Sequence, residues 1–574
     1  MKTVSEYSKD KRKELGAFYS PQILSDFLAK RILSLYQNGQ KKVLNALDPA
    51  TGDTILLYSL SKQAFNYGLE INILGLDIDS DAVKRSQFLF QDVNIHSTFL
   101  CTDALYPYNQ SSPSDGWDKL KSNFFPNGID LIVSNPPWGA DISNYSMLGK
   151  HFDTALGQYD SYDLFVETIL KNLNEGGCYA IIIPDSIYCR EHYYTRKLLL
   201  DKTTICEIVR LGEGFFPNVN FAVSIIFGIN KKSEGNLVEC IHLSNTDRKN
   251  ILKGEATMES VCKKSAINVD SKMMISYDYS FITDVSAFDL PLMSKLNSFP
   301  KFIDFVTSHR GVELSKKGVV LRCPECGKWF PLPRKSGKNT KCPHCKSVFI
   351  NDSILTRDNI ISEYKLLNSN LIVVGEDISR YRVNSHKSIK LGYDGIKYKD
   401  ASFYDGVKVL VRKTGVGITA GIDYKKCHAN QVVYIIKPKK DLDHSISCEV
   451  ILSLLNSRIM TYYIIKQFGN TGWKSNPYLS QDNIMSLPFP KIDINDKETA
   501  KVLSEISCLV KKLSTAKTIN KKADLAIECL VAKLYGISGK DYRVIMGAIR
   551  SVESLIPFKR LLSINEDDIT NNGL

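Results

Sequence analysis

The stretch Ile129-Asp130-Leu131-Ile132-Val133-Ser134, followed at once by Asn135-Pro136-Pro137-Trp138, decides how the first half of this chain folds. A largely apolar run that stops at a proline pair predicts a buried strand ending in an exposed loop. In open α/β sheets, ligands bind in the crevice beyond the carboxyl ends of the strands. The stretch therefore predicts a functional loop at the carboxyl edge of a parallel sheet.

The residues of this loop suit methylation of an exocyclic amino group, whose lone pair is delocalised into its ring and is therefore a poor nucleophile. The Asn135 side-chain oxygen and the Pro136 carbonyl can each accept one N–H, which leaves the lone pair directed at a methyl donor. Pro137 fixes the backbone, and Trp138 offers an aromatic face on which a planar base can stack. An isolated Asn-Pro-Pro run is more often an ordinary turn, so this interpretation depends on its surroundings.

Three predicted strands precede this loop, and an acidic residue follows each of them. Their sequences are Val43–Leu47 before Asp48-Pro49-Ala50-Thr51-Gly52-Asp53, Ile71–Leu76 before Asp77-Ile78-Asp79, and Thr98–Cys101 before Thr102-Asp103-Ala104. The small residues of the first turn let a nucleotide-type ligand approach the backbone. Asp77 can accept hydrogen bonds from ribose hydroxyls while Ile78 packs on a purine, and Asp103 can accept the adenine amino group. Solvated loop acids are the simpler alternative, but three in succession favour a ligand site.

Three more β-rich runs follow the loop, after a predicted helix over Tyr162–Leu173: Cys178–Ile183, Ile205–Leu211 and Ala222–Ile229. The first five strands have connections long enough for parallel pairing, whereas the last two are joined by a hairpin-length loop. Phe216 in that hairpin loop is expected to face Trp138 and sandwich a base, although its spacing fits a core phenylalanine equally well. The predicted fold class is α/β, with a seven-stranded Rossmann-like sheet of the methyltransferase type.

The ordered motifs of this half resemble the gamma class of adenine-N6 DNA methyltransferases, the TaqI type of bacterial restriction–modification systems. They are GAFYSP ending at Pro21, DPATGD, LDID, TDAL, NPPW and GEGFFPNVNFAVSIIF ending at Phe227. The resemblance implies S-adenosylmethionine as cofactor, bound by Phe18, Tyr19, Ser20, Asp48, Ala50, Gly52, Asp77, Ile78, Asp103 and Ala104. It also implies that Asn135, Pro136, Pro137, Trp138 and Phe216 hold a flipped adenine. One departure stands at Thr54, where the family usually has a glycine and where a side chain is expected to crowd the methionine part of the cofactor.

Length and composition agree with two folded domains. The 574 residues exceed what one core usually holds, and 43% of them are hydrophobic and 24% charged, as in ordinary globular proteins. No apolar run reaches the roughly 18 residues of a membrane span, and Met1 to Leu15 is charged rather than signal-like. We therefore expect a cytoplasmic protein without a membrane partner.

The charge is divided unevenly along the chain. Residues 1–285 contain 29 Lys and Arg against 34 Asp and Glu, a net charge of −5, and the remainder contains 45 against 28, a net charge of +17. A basic second half beside an acidic first half favours contact with a polyanion, although a solvated basic surface is equally compatible with charge alone. The expected partner is double-stranded DNA, and the resemblance adds a cognate restriction endonuclease.

Four of the 14 cysteines form two CPxC pairs, Cys323-Pro324-Glu325-Cys326 and Cys342-Pro343-His344-Cys345, separated by 15 residues. Two such knuckles present four thiolates tetrahedrally, as in a zinc ribbon. Four cysteines close the coordination sphere, so the predicted zinc is structural rather than catalytic. From Arg310 to Lys346 there are ten Lys and Arg against two acidic residues, which allows the ribbon to touch DNA.

The predicted domains are a catalytic domain over residues 1–285 and a mixed, mainly β target-recognition domain over 286–574. The second contains the zinc ribbon over 320–350 and a helical hairpin over 497–536, where apolar residues recur at helical spacing. The favoured function is transfer of a methyl group from S-adenosylmethionine to the N6 amino group of a flipped adenine in DNA. The alternatives are methylation of RNA or of a protein glutamine, and a DNA-binding subunit whose catalytic half has decayed.

Overall fold

The computed structural model describes residues 20–36, 41–91, 93, 95–109, 112–145, 147–216, 222–286, 288–333, 339–349, 355–365, 369–384, 386–415, 417–439, 446–468, 479–493, 495–552 and 556–571. These residues form two compact units. The first comprises Met1–Ala287 with Lys466–Ser475, and the second Phe288–Ile465 with Asn476–Leu574. Phe18 and Tyr19 lie outside the described residues.

The first unit contains nine strands: β1 Val43–Asp48, β2 Glu70–Asp77, β3 Ser97–Cys101, β4 Ile129–Ser134, β5 Leu173–Pro184, β6 Thr204–Gly212, β7 Val223–Ile229, β8 Leu237–His242 and β9 Ala266–Asp270. Its helices are α1 Gln22–Tyr36, α2 Ile55–Asn66, α3 Ser80–Phe90, α4 Pro113–Phe124, α5 Leu148–His151, α6 Ser161–Asn172, α7 Tyr193–Lys202, α8 Asn245–Leu252, α9 Met258–Ser265 and α10 Ser271–Ser276.

All nine strands form one sheet, in the order β3-β2-β1-β4-β5-β7-β6-β8-β9. Strands β1 to β5 pair in parallel, and β7 runs antiparallel to both β5 and β6, as the sequence predicts. The seven predicted strands are thus present, and β8 and β9 extend the sheet beyond β6. Sequence reasoning did not find these two strands, because β9 is separated from its partner β8 by two helices.

Strand β4 shows why the opening stretch decides the fold. All six of its residues are buried, which is the pattern of a parallel strand covered on both faces. The chain passes from β1 outward to β3 and then returns to place β4 on the other side of β1. This reversal opens a crevice at the carboxyl ends of β1 and β4.

The second unit is built from short strands followed by helices. Its strands are β10 Val306–Arg310, β11 Val319–Arg322, β12 Trp329–Pro331, β13 Thr340–Lys341, β14 Val348–Phe349, β15 Thr356–Asn359, β16 Ile361–Ser362, β17 Asn370–Val373, β18 Ile378–Ser379, β19 Arg382–Val383, β20 Lys387–Ile389, β21 Lys408–Arg412, β22 Ala420–Asp423, β23 His428–Ala429 and β24 Val433–Pro438. Its helices are α11 Leu290–Asn297, α12 Phe302–Phe305, α13 Cys448–Leu455, α14 Arg458–Phe468, α15 Gln481–Met485, α16 Lys497–Thr515, α17 Lys521–Tyr535, α18 Gly539–Ser551, α19 Ile556–Lys559 and α20 Glu566–Thr570.

Two four-stranded sheets, β10-β24-β21-β22 and β16-β20-β17-β23, contribute to one hydrophobic core of this unit. The three-stranded sheet β12-β11-β15 and the pair β13-β14 enclose a second, small core that includes Cys323 and Cys342. Helices α16 and α17 lie where the helical hairpin is predicted and contact each other. The mainly β character of this half and its helical end are therefore confirmed.

The fully buried Arg458 at the start of α14 fixes the helical end of this unit. Its guanidinium lies 2.9 Å from Glu528 Oε2 and 3.3 Å from Asp524 Oδ2, two residues of α17. Removal of Arg458 would leave the buried Glu528 carboxylate without a cationic partner among the described residues, which is strongly destabilising.

Across the described ranges, no single helix has the length and apolar composition of a membrane span; α13 and α14, bent by 54° relative to each other, meet the criterion only as a pair.

Candidate functional site

A cavity of about 420 Å³ lies at the carboxyl ends of β1 to β4. Every described residue of the predicted cofactor site lines it, and so do two residues of the Asn135 loop. These residues are Ser20, Asp48, Ala50, Gly52, Asp77, Ile78, Asp103 and Ala104, with Asn135 and Pro137. The parallel sheet brings all of them except Ser20 together, because they lie at or just after the carboxyl ends of β1 to β4, and Ser20 lies just before α1.

The cavity is strongly acidic. Six aspartates line it, Asp48, Asp53, Asp77, Asp79, Asp103 and Asp141, and none of its described lining residues is lysine, arginine or histidine. Burial raises the pKa of Asp48 to about 8 and that of Asp53 to about 6. A cavity lined by carboxyl groups favours a cationic ligand that carries hydroxyl or amino hydrogen-bond donors. It disfavours the negatively charged phosphates of a dinucleotide.

Asp77 organises the turn between β1 and α2. Its Oδ2 accepts the Gly52 amide at 2.8 Å, and its Oδ1 accepts the Asp79 amide at 2.8 Å. The side chain of Ile78, 60% exposed, lines the cavity beside it. A carboxylate fixed by two amides next to an exposed aliphatic face suits a ribose and its attached base.

The side chain of Thr54 does not point into the cavity where the cofactor is expected. The residue has a left-handed backbone, φ 66°, and its buried hydroxyl is hydrogen-bonded to that of Ser86 in α3. It is not among the residues that line the cavity. The expectation that its side chain crowds the cofactor is not supported, and the positive φ explains why glycine suits this position.

The loop after β4 is held by the amino end of α6. Ser161 Oγ donates to the Pro137 carbonyl at 2.6 Å, and the Gly139 amide donates to Asp160 Oδ1 at 2.6 Å. Asn135 Nδ2 donates to Ser20 Oγ at 3.2 Å. These bonds fix the Asn135 loop relative to the cavity. Sequence reasoning did not identify Ser161, although Asp160 before it is a typical helix-capping residue.

Trp138 and Phe216 are neighbours, as predicted, but they contact each other directly. Their ring centroids lie 5.5 Å apart with an interplanar angle of 70°, an edge-to-face pair, and both side chains are buried. A base therefore has no space between them in this structure, and the role of the pair as a sandwich stays a prediction.

A buried network anchors the loop that carries Phe216. Asp185, directly after β5, lies 2.9 Å from Arg210 on β6 and 2.7 Å from the Ser224 hydroxyl on β7. Arg210 also lies over the ring of Tyr188, 4.2 Å from its centroid. The network ties both strands that flank the Phe216 loop to the end of β5, and no sequence motif indicated it.

Tyr145 is a second side chain that sequence reasoning missed. It lies in the segment after Trp138, lines the cavity and donates its hydroxyl to Asp103 Oδ2 at 2.5 Å. Nothing in the order Asp141-Ile142-Ser143-Asn144-Tyr145 predicts that this segment returns to β3.

The four predicted metal ligands lie together in the second unit. The sulfur atoms of Cys323, Cys326, Cys342 and Cys345 are all within 4.8 Å of one another, with separations of 3.6 Å for Cys323–Cys345 and 3.9 Å for Cys326–Cys342. The two knuckles have the same backbone pattern: the amide four residues after Cys323 or Cys342 donates to the carbonyl of that cysteine.

Comparisons with known proteins match both halves of the chain. Residues 2–267 match the family model "N-6 DNA Methylase", and residues 370–489 match the "TaqI-like C-terminal specificity domain". The type II methyltransferase M.BanIII of Aneurinibacillus aneurinilyticus is 30% identical over 238 residues, which are 39% of this chain and 40% of that protein. The EcoEI methylase subunit of a type I restriction enzyme of Escherichia coli is 25% identical over 226 residues, 37% of this chain and 42% of that subunit. The chain thus spans about 40% of the length of the curated relatives it matches.

Among solved structures, the type IIL restriction-modification enzyme MmeI in complex with DNA has a TM-score of 0.53 at 13% identity, covering 98% of this chain and 81% of that one. The DrdV–DNA complex has a TM-score of 0.52 at 13% identity, covering 89% and 58%. At these identities the likeness concerns the fold.

Proposed function

Because residues 2–267 match the N-6 DNA methylase family model and residues 370–489 match that of the TaqI-like specificity domain, we propose that this chain methylates the N6 amino group of adenine in double-stranded DNA. The observation that carries the proposal is that Asn135 and Pro137 line an acidic cavity at the carboxyl edge of the sheet. A cavity at that edge alone fits many enzymes, whereas an Asn-Pro-Pro-Trp loop beside it fits amino-group methylation.

The cavity fits S-adenosylmethionine, whose sulfonium supplies an electrophilic methyl group when bound. A cationic ligand with ribose hydroxyls and an amino-bearing base matches the six aspartates and the absence of cations from the described lining. Ser20, Asp48, Ala50 and Gly52 would hold the methionine part, Asp77 and Ile78 the ribose and base, and Asp103 and Ala104 the adenine amino edge. Phe18 and Tyr19 stay predicted contacts.

Asn135 and Pro136 would accept the two N–H groups of the target adenine. Asn135 Nδ2 donates to Ser20 Oγ, an arrangement that leaves the amide oxygen as the acceptor for the target amine. Because such acceptors are used fully only as the nitrogen becomes tetrahedral, they favour the transition state over the bound base. The methyl group then passes directly to nitrogen, with no covalent enzyme intermediate.

The target base would enter between Trp138 and Phe216. Flipping a base out of the duplex costs a few kcal/mol, which stacking on aromatic rings offsets. Since the two rings contact each other, we expect Phe216 to move for the base to enter, while the Asp185 network fixes the two strands that flank its loop.

The four cysteines fit one structural zinc ion. Zinc–sulfur bonds of about 2.3 Å in a tetrahedron place the sulfurs about 3.8 Å apart, close to the observed 3.6 Å and 3.9 Å. The small core that includes Cys323 and Cys342 would then depend on the metal for its stability. Metal analysis of the purified protein should find about one zinc per chain.

The alternatives carry less weight. A decayed catalytic half was favoured by Thr54, whose side chain contacts Ser86 and does not line the cavity. A protein-glutamine methyltransferase would not need a second half with a net charge of +17. A cognate restriction endonuclease stays a predicted partner.

The proposal is tested by mapping methylated adenines in the DNA of cells that express the chain, together with transfer of radiolabelled methyl groups in vitro. Wild type should methylate adenine within one short sequence. Asn135→Ala should reduce transfer by at least about a thousandfold, the effect of losing a transition-state contact together with the orientation of the amine, and should bind cofactor normally. Unmethylated DNA from the wild type, or full activity of Asn135→Ala, would refute the proposal.

A further inference from the structure

The segment after Trp138 crosses the cavity and closes one of its walls. Ala140, Asp141, Ile142, Asn144 and Tyr145 all line the cavity, although the segment starts at the end of β4. At its far end Tyr145 reaches Asp103, which follows β3. Strands β3 and β4 are separated by β2 and β1, so the segment spans three strand spacings, about 14 Å.

The segment is held in place at both ends. Its start is fixed by the amides of Gly139 and Ala140, which donate to Asp160 and Ser161 of the α6 amino end. At its other end, the ring of Tyr145 stacks on Tyr106, with centroids 5.7 Å apart and an interplanar angle of 21°. The position of the Tyr145 hydroxyl is therefore set by packing.

At the β3 end of the cavity, hydrogen bonding leaves Asp103 and Tyr145 able only to accept further hydrogen bonds. Asp103 Oδ1 accepts the Leu105 amide at 2.9 Å, and Oδ2 accepts the Tyr145 hydroxyl. A carboxylate has about four acceptor positions, so some remain for a ligand, and the Tyr145 oxygen, its proton engaged, has only lone pairs to offer. Burial, with the hydrogen bond to Asp103, raises the pKa of Tyr145, which keeps that proton in place.

We infer that Tyr145 is a further cofactor-binding residue, which together with Asp103 selects a purine carrying an amino group at the β3 end of the cavity. Two acceptors side by side match the N–H donors of an exocyclic amine and oppose the lone pairs of a 6-oxo purine. The inference rests on the proposed function and extends it, because it names the residue that distinguishes the adenine of the cofactor from a deaminated base.

The test is calorimetric titration of the full chain with S-adenosylhomocysteine and with its 6-oxo counterpart, S-inosylhomocysteine. Wild type should bind the amino compound at least about tenfold more tightly. Tyr145→Phe should weaken binding of the amino compound about tenfold, which corresponds to about 1.4 kcal/mol. The ratio of the dissociation constants of the two compounds should therefore move toward one. The KM of Tyr145→Phe for S-adenosylmethionine should rise about tenfold, because a contact made equally in the ground state and the transition state contributes to KM.

Tyr106→Phe is the matched control. Its hydroxyl is buried and has no hydrogen-bond partner among the described residues, and its ring stacks on that of Tyr145. It should bind both compounds as wild type does. Equal weakening by Tyr106→Phe would show that the effect arises from packing, and this result would overturn the inference.

The remaining outcomes separate the inference from the proposed function. If Tyr145→Phe binds S-adenosylhomocysteine as tightly as wild type, or loses turnover with affinity unchanged, the inference alone is overturned. If wild type binds neither compound, both are overturned. If wild type transfers no methyl group to DNA yet Tyr145→Phe weakens binding tenfold, the proposed function fails and the inference stands.

Discussion

Asp48 is buried at the end of β1, where a carboxylate is costly to ionise. Its Oδ1 accepts the Ala50 amide at 3.0 Å, but this hydrogen bond does not compensate for desolvation, and the pKa of Asp48 rises to about 8. A carboxyl group in an unfolded chain titrates near 3.9. Without a bound cation, the folded protein therefore holds a proton on Asp48 that the unfolded chain releases at neutral pH.

This raised pKa predicts a specific dependence of stability on pH. A group whose pKa is raised by folding contributes stability below its unfolded pKa, and that contribution is lost as the pH rises toward the folded value. Between pH 7 and 8, Asp48 should reduce the free energy of unfolding by up to about 1.4 kcal/mol per pH unit. Asp48→Asn should flatten the pH dependence of urea unfolding in this range.

Asp53→Asn is the control for this prediction, because burial raises the pKa of Asp53 only to about 6. Its effect should be confined to pH values below about 6. If Asp48→Asn and wild type keep parallel curves from pH 7 to 8, the carboxyl group of Asp48 is not protonated in the folded protein.

Thr54 provides a second test at one position. Replacing it with glycine relieves a positive φ of 66°, but also removes the buried hydroxyl contact with Ser86. The affinity for S-adenosylhomocysteine in calorimetry should change by less than about twofold, since the side chain does not line the cavity. A tenfold gain in affinity for Thr54→Gly would show instead that the threonine obstructs the ligand.

The two cysteine knuckles are small elements that cannot be stable alone. Strands β13 and β14 have two residues each, and the core around them consists of Leu321, Cys323, Phe330, Cys342, Phe349 and Leu355. A core of this size contributes too little burial to fold without a metal or a disulfide. The stability of this element is therefore expected to come from the ion that its thiolates bind.

Loss of one ligand should unfold this element and leave the first unit folded. Cys342→Ser should contain less zinc than wild type, bind DNA more weakly and bind S-adenosylhomocysteine unchanged, because none of the four cysteines belongs to the first unit. Metal analysis and the two titrations check this. Cys508→Ser, which alters an exposed cysteine of α16, is the matched control and should retain all three properties.

If Cys342→Ser keeps full zinc and full DNA affinity, the four thiolates do not form the metal site. If it also loses cofactor binding, the division of functions between the two halves is wrong.

The uneven distribution of charge along the chain follows its division into two compact units. The net charge of +17 lies beyond residue 285, and the acidic cavity lies entirely before it. A first half with a net charge of −5 is expected to bind DNA poorly by itself, so we expect the second half to supply most of the affinity through phosphate contacts.

Salt dependence tests this expectation. The logarithm of DNA affinity should fall steeply with the logarithm of salt concentration, by about 0.9 for each neutralised phosphate. Replacing the exposed Lys328 and Lys341 of the cysteine element by glutamine should reduce the slope by about 2. The same change at Lys263 and Lys264, exposed on α9, should leave the slope unaltered, and a nearly flat wild-type plot would contradict DNA binding by this half.

The sequence by itself determined seven of the nine strands of the central sheet, eight residues that line its cavity and the grouping of four cysteines. These features depend on short-range order: an apolar run followed by an acid places that acid at the carboxyl edge, and two knuckles need only fixed spacing. All eight of the described residues that motifs assigned to the cofactor accordingly line one cavity.

Only the tertiary structure showed which long-range contacts are made by segments that carry no sequence motif. The return of Tyr145 to Asp103, the contact of Thr54 with Ser86 and the pairing of β9 with β8 each depend on chain closure over many residues. The direct contact between Trp138 and Phe216 is of the same kind. Such contacts are decided by packing of the whole unit, because the local sequence at either partner is compatible with several paths of the chain.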